Sequence, residues 1–125
     1  MSRIKNKQSR KYIPMSEFRY NNSPLAKGHP NYVFGKTRDG EKYKSFGITH
    51  SPDSRHIAYK LSKNPNPNDK RTAYVQDRVQ TARVDFYGKR LNGWRFDKAD
   101  MPIVRHITKG YKKKTNRSSK KKKKR

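Results

Sequence analysis

The chain has 125 residues, and its 34 Lys and Arg outnumber its nine Asp and Glu, which gives a formal net charge of +25. Repulsion on that scale opposes a compact state unless a polyanion supplies the compensating charge, so the composition indicates a nucleic-acid-binding protein. Cysteine is absent, which excludes a disulfide framework and a cysteine-ligated zinc site, and no apolar run approaches the roughly 18 residues of a membrane-spanning helix.

Domain boundaries follow the distribution of charge along the chain. Residues 1–11 carry five Lys and Arg and no acid, and residues 109–125 carry eleven and no acid. Residues 12–108 hold the other eighteen against all nine acids, with most of the apolar and aromatic side chains. We therefore predict a basic N-terminal arm (1–11), one small β-rich domain (12–108) and a basic low-complexity C-terminal tail (109–125), and we expect both tails to be disordered.

A β-hairpin gives the clearest structural signal in the predicted domain. Residues 32–37 and 42–50 are rich in aromatic and β-branched side chains, and residues 38–41 between them contain the Asp-Gly pair that hairpin turns favour. Alternation along the second strand predicts two faces, one with Tyr43, Ser45, Gly47 and Thr49 and the other with Lys44, Phe46, Ile48 and His50.

Shorter elements are predicted after the hairpin. Ile57, Tyr59 and Leu61 alternate within residues 56–61 as in a strand, and residues 63–69 form a loop rich in Asn and Pro. The remaining predicted elements are a strand at 71–76, a strand within 79–87, a turn at 88–93 and a last strand at 94–96.

A helix is predicted near the end of the domain. Asp97 or Asp100 can cap its first turn, where Pro102 is tolerated. Gly110 can stop it. The apolar stripe of this helix consists of Ile103, Val104 and Ile107. Several short strands followed by one helix predict a mainly β (α+β) fold, a small curved sheet or barrel with a C-terminal helix.

Basic and aromatic side chains are interleaved on the hairpin and again between residues 83 and 95. Exposed rings stack on unpaired bases while Lys and Arg hold phosphates, which favours RNA over DNA; the alternative is that these rings build the core. No helix-turn-helix, basic zipper or zinc-finger pattern indicates a reader of duplex DNA. The predicted nucleic-acid-binding residues are Lys36, Lys42, Tyr43, Lys44, Arg83, Lys89, Arg90, Arg95, Lys112, Lys113 and Lys114.

The familiar catalytic motifs are missing, since the sequence has no Walker loop, no G-x-G-x-x-G and no G-x-S-x-G. The nine acids are scattered as single residues, so we expect no metal site and no cofactor. Cleavage of RNA without metal needs a base for the 2′-hydroxyl, an acid for the leaving oxygen and cations for the phosphorane. Residues 49–56 hold such groups, and the candidate catalytic residues are Thr49, His50, Ser51, Arg55 and His56. The alternative interpretation of this segment is a turn with surface histidines.

The stretch Gly40-Glu41-Lys42-Tyr43, followed through Ile48 by Thr49-His50-Ser51-Pro52, resembles part of the PemK/MazF-like endoribonuclease toxins, particularly the ToxN branch. In those proteins a G-x-K-Y strand leads into a Thr-Ser-Pro segment at the strand end. The resemblance implies a small barrel that cleaves RNA without metal and has an antitoxin as partner. It also implies that Thr49 and Ser51 lie in the active site, with His50 inserted between them.

Three functions stay open at this point. The first is a toxin-like, metal-independent endoribonuclease, and the second is a non-catalytic RNA- or DNA-binding protein associated with the ribosome or a mobile element. The third is an inhibitor that occludes the ligand site of a nucleic-acid enzyme. We expect no membrane partner and a cytoplasmic location, because no apolar signal-peptide stretch is present at the N-terminus.

Overall fold

Six antiparallel strands and one helix make up the structure, a computed structural model that describes residues 12–24, 26–52 and 57–109. The strands are β1 (Tyr12–Asn21), β2 (His29–Thr37), β3 (Lys42–Thr49), β4 (Ala58–Lys60), β5 (Tyr74–Arg83) and β6 (Tyr87–Arg90). They form one curved sheet in the order β4-β5-β3-β2-β1-β6, and helix α1 covers residues 101–109. The predicted mainly β fold with a C-terminal helix is confirmed, as an open sheet.

The predicted hairpin is formed by β2 and β3, and its turn is held by local hydrogen bonds. Gly40 adopts a positive φ of 79°, the conformation that glycine tolerates best in such turns. Asp39 Oδ1 accepts from the backbone N–H of Glu41 at 3.0 Å, and the Gly40 N–H donates to the carbonyl of Thr37 at 2.8 Å. The turn residues therefore set the register of the hairpin next to the turn, and it shifts between Val33 and Gly35 further along.

Strand β1 was not predicted, although it occupies an interior position in the sheet between β2 and β6. Pro14 and a register shift between Pro14 and Glu17 interrupt the alternation that identifies strands in a sequence. The pairing of Pro14 with Gly35 brings the Tyr12 ring close to the backbone of Gly35, where an added Cβ would lie 2.2 Å from that ring. Gly35 is thus required by a close approach between two strands.

Three predicted elements in the second half of the domain need correction. Residues 74–83 form the single strand β5, where two strands were expected. Hydrogen-bond pairing with both β3 and β4 keeps the strand continuous through its polar middle residues. Residues 88–90 belong to β6, since they pair with the unpredicted β1. Residues 94–96 are not a strand, and they contribute side chains to the core without joining the sheet. The predicted loop at 63–69 contains no strand or helix.

The predicted helix begins with a 3₁₀ turn over Lys98–Asp100, which Asp97 caps by accepting from the Ala99 N–H at 3.0 Å. Asp100 has another role, since its buried carboxylate accepts from the backbone N–H of Ser62 at 2.8 Å and fixes the chain after β4. Val104 and Ile107 of α1 are buried. Gly110 and the predicted stop lie outside the described residues.

The two faces of the sheet differ in chemistry. On one face, Phe18, Tyr32 and Phe46 pack with Phe96, whose ring centroid lies 5.0 Å from that of Phe18 and 4.9 Å from that of Tyr32. Val104 of α1 joins this cluster. Aromatic rings therefore form much of this core, because the chain has few aliphatic residues to fill it.

The opposite face carries buried polar side chains. Ser45 Oγ on β3 lies 2.8 Å from Asn31 Oδ1 and 2.8 Å from the Tyr87 hydroxyl. Tyr87 belongs to β6 at the edge of the sheet, so its contact with β3 requires strong curvature over this face. Burial raises the pKa of the Tyr87 phenol, and the hydrogen bond to Ser45 partly offsets that rise.

The predicted basic arm (1–11) and all of the predicted tail except Lys109 lie outside the described residues. Within the ranges that are described, no helix combines the length and the apolar character needed to cross a bilayer.

Candidate nucleic-acid interface

The candidate segment at the end of β3 forms a tight turn. The Ser51 backbone N–H donates to Thr49 Oγ1 at 3.1 Å, and Thr49 Oγ1 donates to the Ser51 carbonyl at 3.4 Å. Such Ser/Thr turns form when the hydroxyl replaces a backbone partner at the end of a strand. Thr49 itself is still paired with Tyr74 of β5, so the rigid sheet positions the turn.

His50 is held at both ring nitrogens. Nδ1 lies 3.0 Å from the carbonyl oxygen of Thr72, and Nε2 lies 3.2 Å from Asp69 Oδ2. A carbonyl and a carboxylate only accept hydrogen bonds, so this geometry suits an imidazolium that donates from both nitrogens. The two acceptors therefore fix the orientation of the His50 ring at the strand end.

Asp69 links His50 to Arg71. Asp69 Oδ1 accepts from the backbone N–H of Arg71 at 3.0 Å and from its Nε at 3.1 Å, while Oδ2 accepts from Nη2 at 2.9 Å. The bonds from Arg71, together with the charge of His50, hold the pKa of Asp69 well below its usual value. The Arg71 side chain stays 71% exposed, which leaves its guanidinium accessible to a ligand.

The loop that carries Asp69 and Arg71 is braced by its own side chains. Asn64 Oδ1 accepts from the Asn66 N–H at 2.9 Å, and Asn66 Oδ1 accepts from the Asn68 N–H at 3.0 Å. The Asn64 amide also donates to the Arg71 carbonyl at 3.1 Å. These repeated Asx turns explain why a segment with two prolines and no regular structure holds one conformation.

A cleft of about 470 Å³ opens at this end of the sheet, and we call it the strand-end cleft. Its lining residues come from β1, β2, β3 and the loops around residues 64–71 and 94: Tyr20, His29, Pro30, Ile48, Thr49, His50, Ser51, Asn64, Asn66, Asp69, Arg71 and Trp94. The rings of Tyr20 and Trp94 meet edge to face with centroids 6.2 Å apart. Aromatic surface and cationic groups therefore share one cavity.

A second cavity of about 330 Å³ adjoins the first and shares His29, Ile48, Thr49 and Ser51 with it. We call it the amide pocket. The rest of its lining includes the side chains of Asn31, Gln76 and Gln80 with the cations Lys27 and Arg78.

The structure places three of the five predicted catalytic residues in the strand-end cleft. Thr49, His50 and Ser51 line it, whereas Arg55 and His56 lie outside the described residues. In the described ranges, no three His, Asp or Glu side chains converge as metal ligands would.

The predicted nucleic-acid-binding residues are spread over other surfaces. Lys44 is only 8% exposed, and its ammonium lies 5.9 Å from the centre of the Tyr12 ring. Tyr43 packs edge to face on Tyr87 at 4.9 Å. Lys42, Arg83, Lys89, Arg90 and Arg95 are exposed, Lys36 is half-buried, and Lys112, Lys113 and Lys114 lie outside the described residues. Of the members that the structure describes, none lines the strand-end cleft.

Sequence reasoning did not single out His29, Tyr20 and Arg71 for the site. Tyr20 pairs with Pro30 and Asn21 pairs with His29, so the unpredicted strand β1 brings Tyr20 and His29 together at the cleft. Nδ1 of His29 lies 2.8 Å from the Ala26 carbonyl and must donate to it, which in a neutral ring leaves Nε2 as an acceptor. No local sequence pattern around His29 indicates that it lines the cleft.

No protein-family model matches this chain, and no curated protein or solved structure is detectably similar to it.

Proposed function

We propose that this protein binds single-stranded nucleic acid, with RNA favoured over DNA, in the strand-end cleft. The observation that carries the proposal is the presence of two aromatic rings and an accessible guanidinium in one cavity, since Tyr20 and Trp94 line it together with Arg71. Rings of this kind stack on bases while cations hold the adjoining phosphates. The net charge of +25 supports a polyanionic ligand.

The shape of the cleft favours an unpaired strand over a duplex. A cavity of about 470 Å³ accepts a nucleotide or two, not a double helix. The hydroxyls of Thr49 and Ser51 beside the cleft offer partners for a ribose 2′-hydroxyl, which DNA lacks.

Substitution of Tyr20 tests this proposal. Tyr20→Leu removes the ring face from the cleft but keeps an apolar side chain, and we expect the Kd for single-stranded RNA to rise about 5- to 150-fold. Phe86→Leu is the matched control, because Phe86 is similarly exposed (39% against 41%) and does not line the cleft. Fluorescence anisotropy with a labelled octanucleotide measures both. Equal affinities for the two variants would contradict binding in the cleft.

A second candidate function is metal-independent cleavage of the bound RNA. It is favoured by two histidines that line the same cleft with different hydrogen-bond partners: His29 has an acceptor at Nδ1, and His50 has an acceptor at each ring nitrogen. His29 would take the proton of the 2′-hydroxyl, whose oxygen attacks the phosphorus, while the P–O5′ bond breaks and the leaving oxygen takes a proton from solvent water. His50 and Arg71 would stabilise the phosphorane charge. The products are a 2′,3′-cyclic phosphate and a 5′-hydroxyl, because the 2′-oxygen is the attacking group.

A further inference from the structure

A backbone hydrogen bond fixes which end of the Asn21 side chain faces Gln80, a residue that lines the amide pocket. The Ser23 backbone N–H donates to Asn21 Oδ1 at 3.0 Å, so the other end of the Asn21 amide must be its NH₂ group. Asn21 Nδ2 then directs its two hydrogens toward three neighbours: Asn31 Oδ1 at 3.2 Å, the Tyr87 hydroxyl at 3.2 Å and, in a shared bond, the Gln80 amide at 3.3 Å. The atom of Gln80 that receives this bond is therefore Oε1, and Nε2 faces elsewhere.

Gln80 consequently presents a buried donor to the pocket. Its side chain is one of the polar groups that line the cavity, and the residue is only 8% exposed. Within the part of the chain that is described, Nε2 has no hydrogen-bond partner. A donor withdrawn from water costs free energy until a ligand atom accepts from it.

Gln76 adds a second, more accessible amide. It is half-buried, and neither end of its side chain bonds to another group in the described ranges. The space in front of it is kept open by Gly47, where an added Cβ would lie 3.5 Å from Gln76 Oε1 and 3.6 Å from Asn31 Nδ2. The amide pocket therefore offers the Gln76 oxygen as an acceptor and the NH₂ groups of Gln76 and Gln80 as donors. These groups lie near Gly47, which has no side chain to fill the space.

We infer that the amide pocket binds an unpaired nucleobase and distinguishes bases by their hydrogen-bonding edges; this inference rests on the proposed binding of single-stranded nucleic acid. A Gln amide matches the adjacent donor and acceptor of a base edge, and single strands expose such edges. A cavity of about 330 Å³ accommodates one base. Thr49 and Ser51 border both cavities, so the neighbouring nucleotide would lie in the strand-end cleft.

Binding of four labelled RNA octamers tests the inference: oligo-A, oligo-C, oligo-U and an octamer of abasic ribose phosphates. The wild-type protein should bind its best base about 5- to 100-fold more tightly than its worst and bind the abasic octamer most weakly. Gln76→Met keeps the side-chain length and removes both polar atoms. It should reduce the ratio between bases to within about twofold without changing the salt dependence.

Lys27→Met is the matched control, because Lys27 lines the same pocket and its ammonium is a point charge without the planar donor geometry that reads a base edge. It should weaken binding to all four octamers alike and reduce the salt slope by about one. Equal binding of the three bases by the wild type, or an unchanged ratio in Gln76→Met, would overturn the inference while leaving nucleic-acid binding intact. No binding of any octamer would reject the proposed function and this inference with it.

Discussion

At the scale of single residues, the two histidines of the strand-end cleft show how similar side chains acquire different chemistry. His29 donates from Nδ1 to the Ala26 carbonyl, which in the neutral ring leaves Nε2 suited to accept a proton. His50 faces an acceptor at each nitrogen, which suits a charge that stabilises phosphate. The hydrogen-bond partners, and not the residue type, assign these roles.

The cleavage hypothesis makes a residue-level prediction. His29→Ala should lower the rate of RNA cleavage in chelator by about 10²–10⁴, and His50→Ala should lower it through the loss of transition-state charge stabilisation. Binding should change little, because each variant loses one group among many cations. The measurement is the rate of appearance of 2′,3′-cyclic phosphate ends.

His106→Ala is the control for that experiment, since His106 lies on α1 beside Asp77 and does not line the cleft. A contaminating ribonuclease would cleave equally in all preparations. Equal rates in His29→Ala, His50→Ala and His106→Ala would therefore contradict catalysis by this protein and leave it as a non-catalytic binder.

At the scale of elements, the loop between β4 and β5 connects the sheet to the cleft. Its Asx turns hold Asp69, which in turn fixes both His50 and Arg71. Because the folded state holds the pKa of Asp69 below the value of 3.8 for an unperturbed Asp, the stabilisation from this carboxylate is present above about pH 4. It is lost as the pH falls further and the carboxylate is protonated.

Asp69→Asn should therefore lower the melting temperature at pH 7 and have a smaller effect at pH 2, which lies closer to the depressed pKa of Asp69 and where the wild type has lost part of the same interaction. Asp85→Asn is the control, since Asp85 pairs with Arg83 on an exposed turn and such pairs contribute little. Thermal unfolding followed by circular dichroism at both pH values measures the effect. A melting-temperature difference for Asp69→Asn that is as large at pH 2 as at pH 7 would contradict the proposed tether.

Elements with local signals were predicted, and elements held by distant partners were not. The hairpin follows from its Asp-Gly turn, and the Asp97 cap follows from its place before an apolar stripe. Strand β1 is interrupted by Pro14 and depends on β2 and β6, which lie later in the sequence. The position of β6 depends in turn on β1. The missed strand therefore also explains why residues 88–90 were predicted as turn, whereas residues 92–93 of the predicted 88–93 turn do form one.

At the scale of the whole molecule, the same distinction applies to the candidate site. Thr49, His50 and Ser51 are adjacent in sequence and were predicted together. The fold adds Tyr20 and Trp94 from opposite ends of the domain. Their convergence depends on the curvature of the sheet, which no local pattern encodes. Sequence thus identified the strand end, and three-dimensional structure supplied the aromatic and amide groups around it.

The charge of +25 makes salt dependence the most direct test of the central claim that this protein holds a nucleic-acid backbone. If about eight phosphates are neutralised, log affinity for single-stranded RNA should fall with log salt at a slope of about −5 to −6, a loss of roughly three decades between 50 and 200 mM. The account also predicts tighter binding of this RNA than of a DNA duplex of equal length at each salt concentration. Titrations that gave a nearly flat dependence on salt would contradict it.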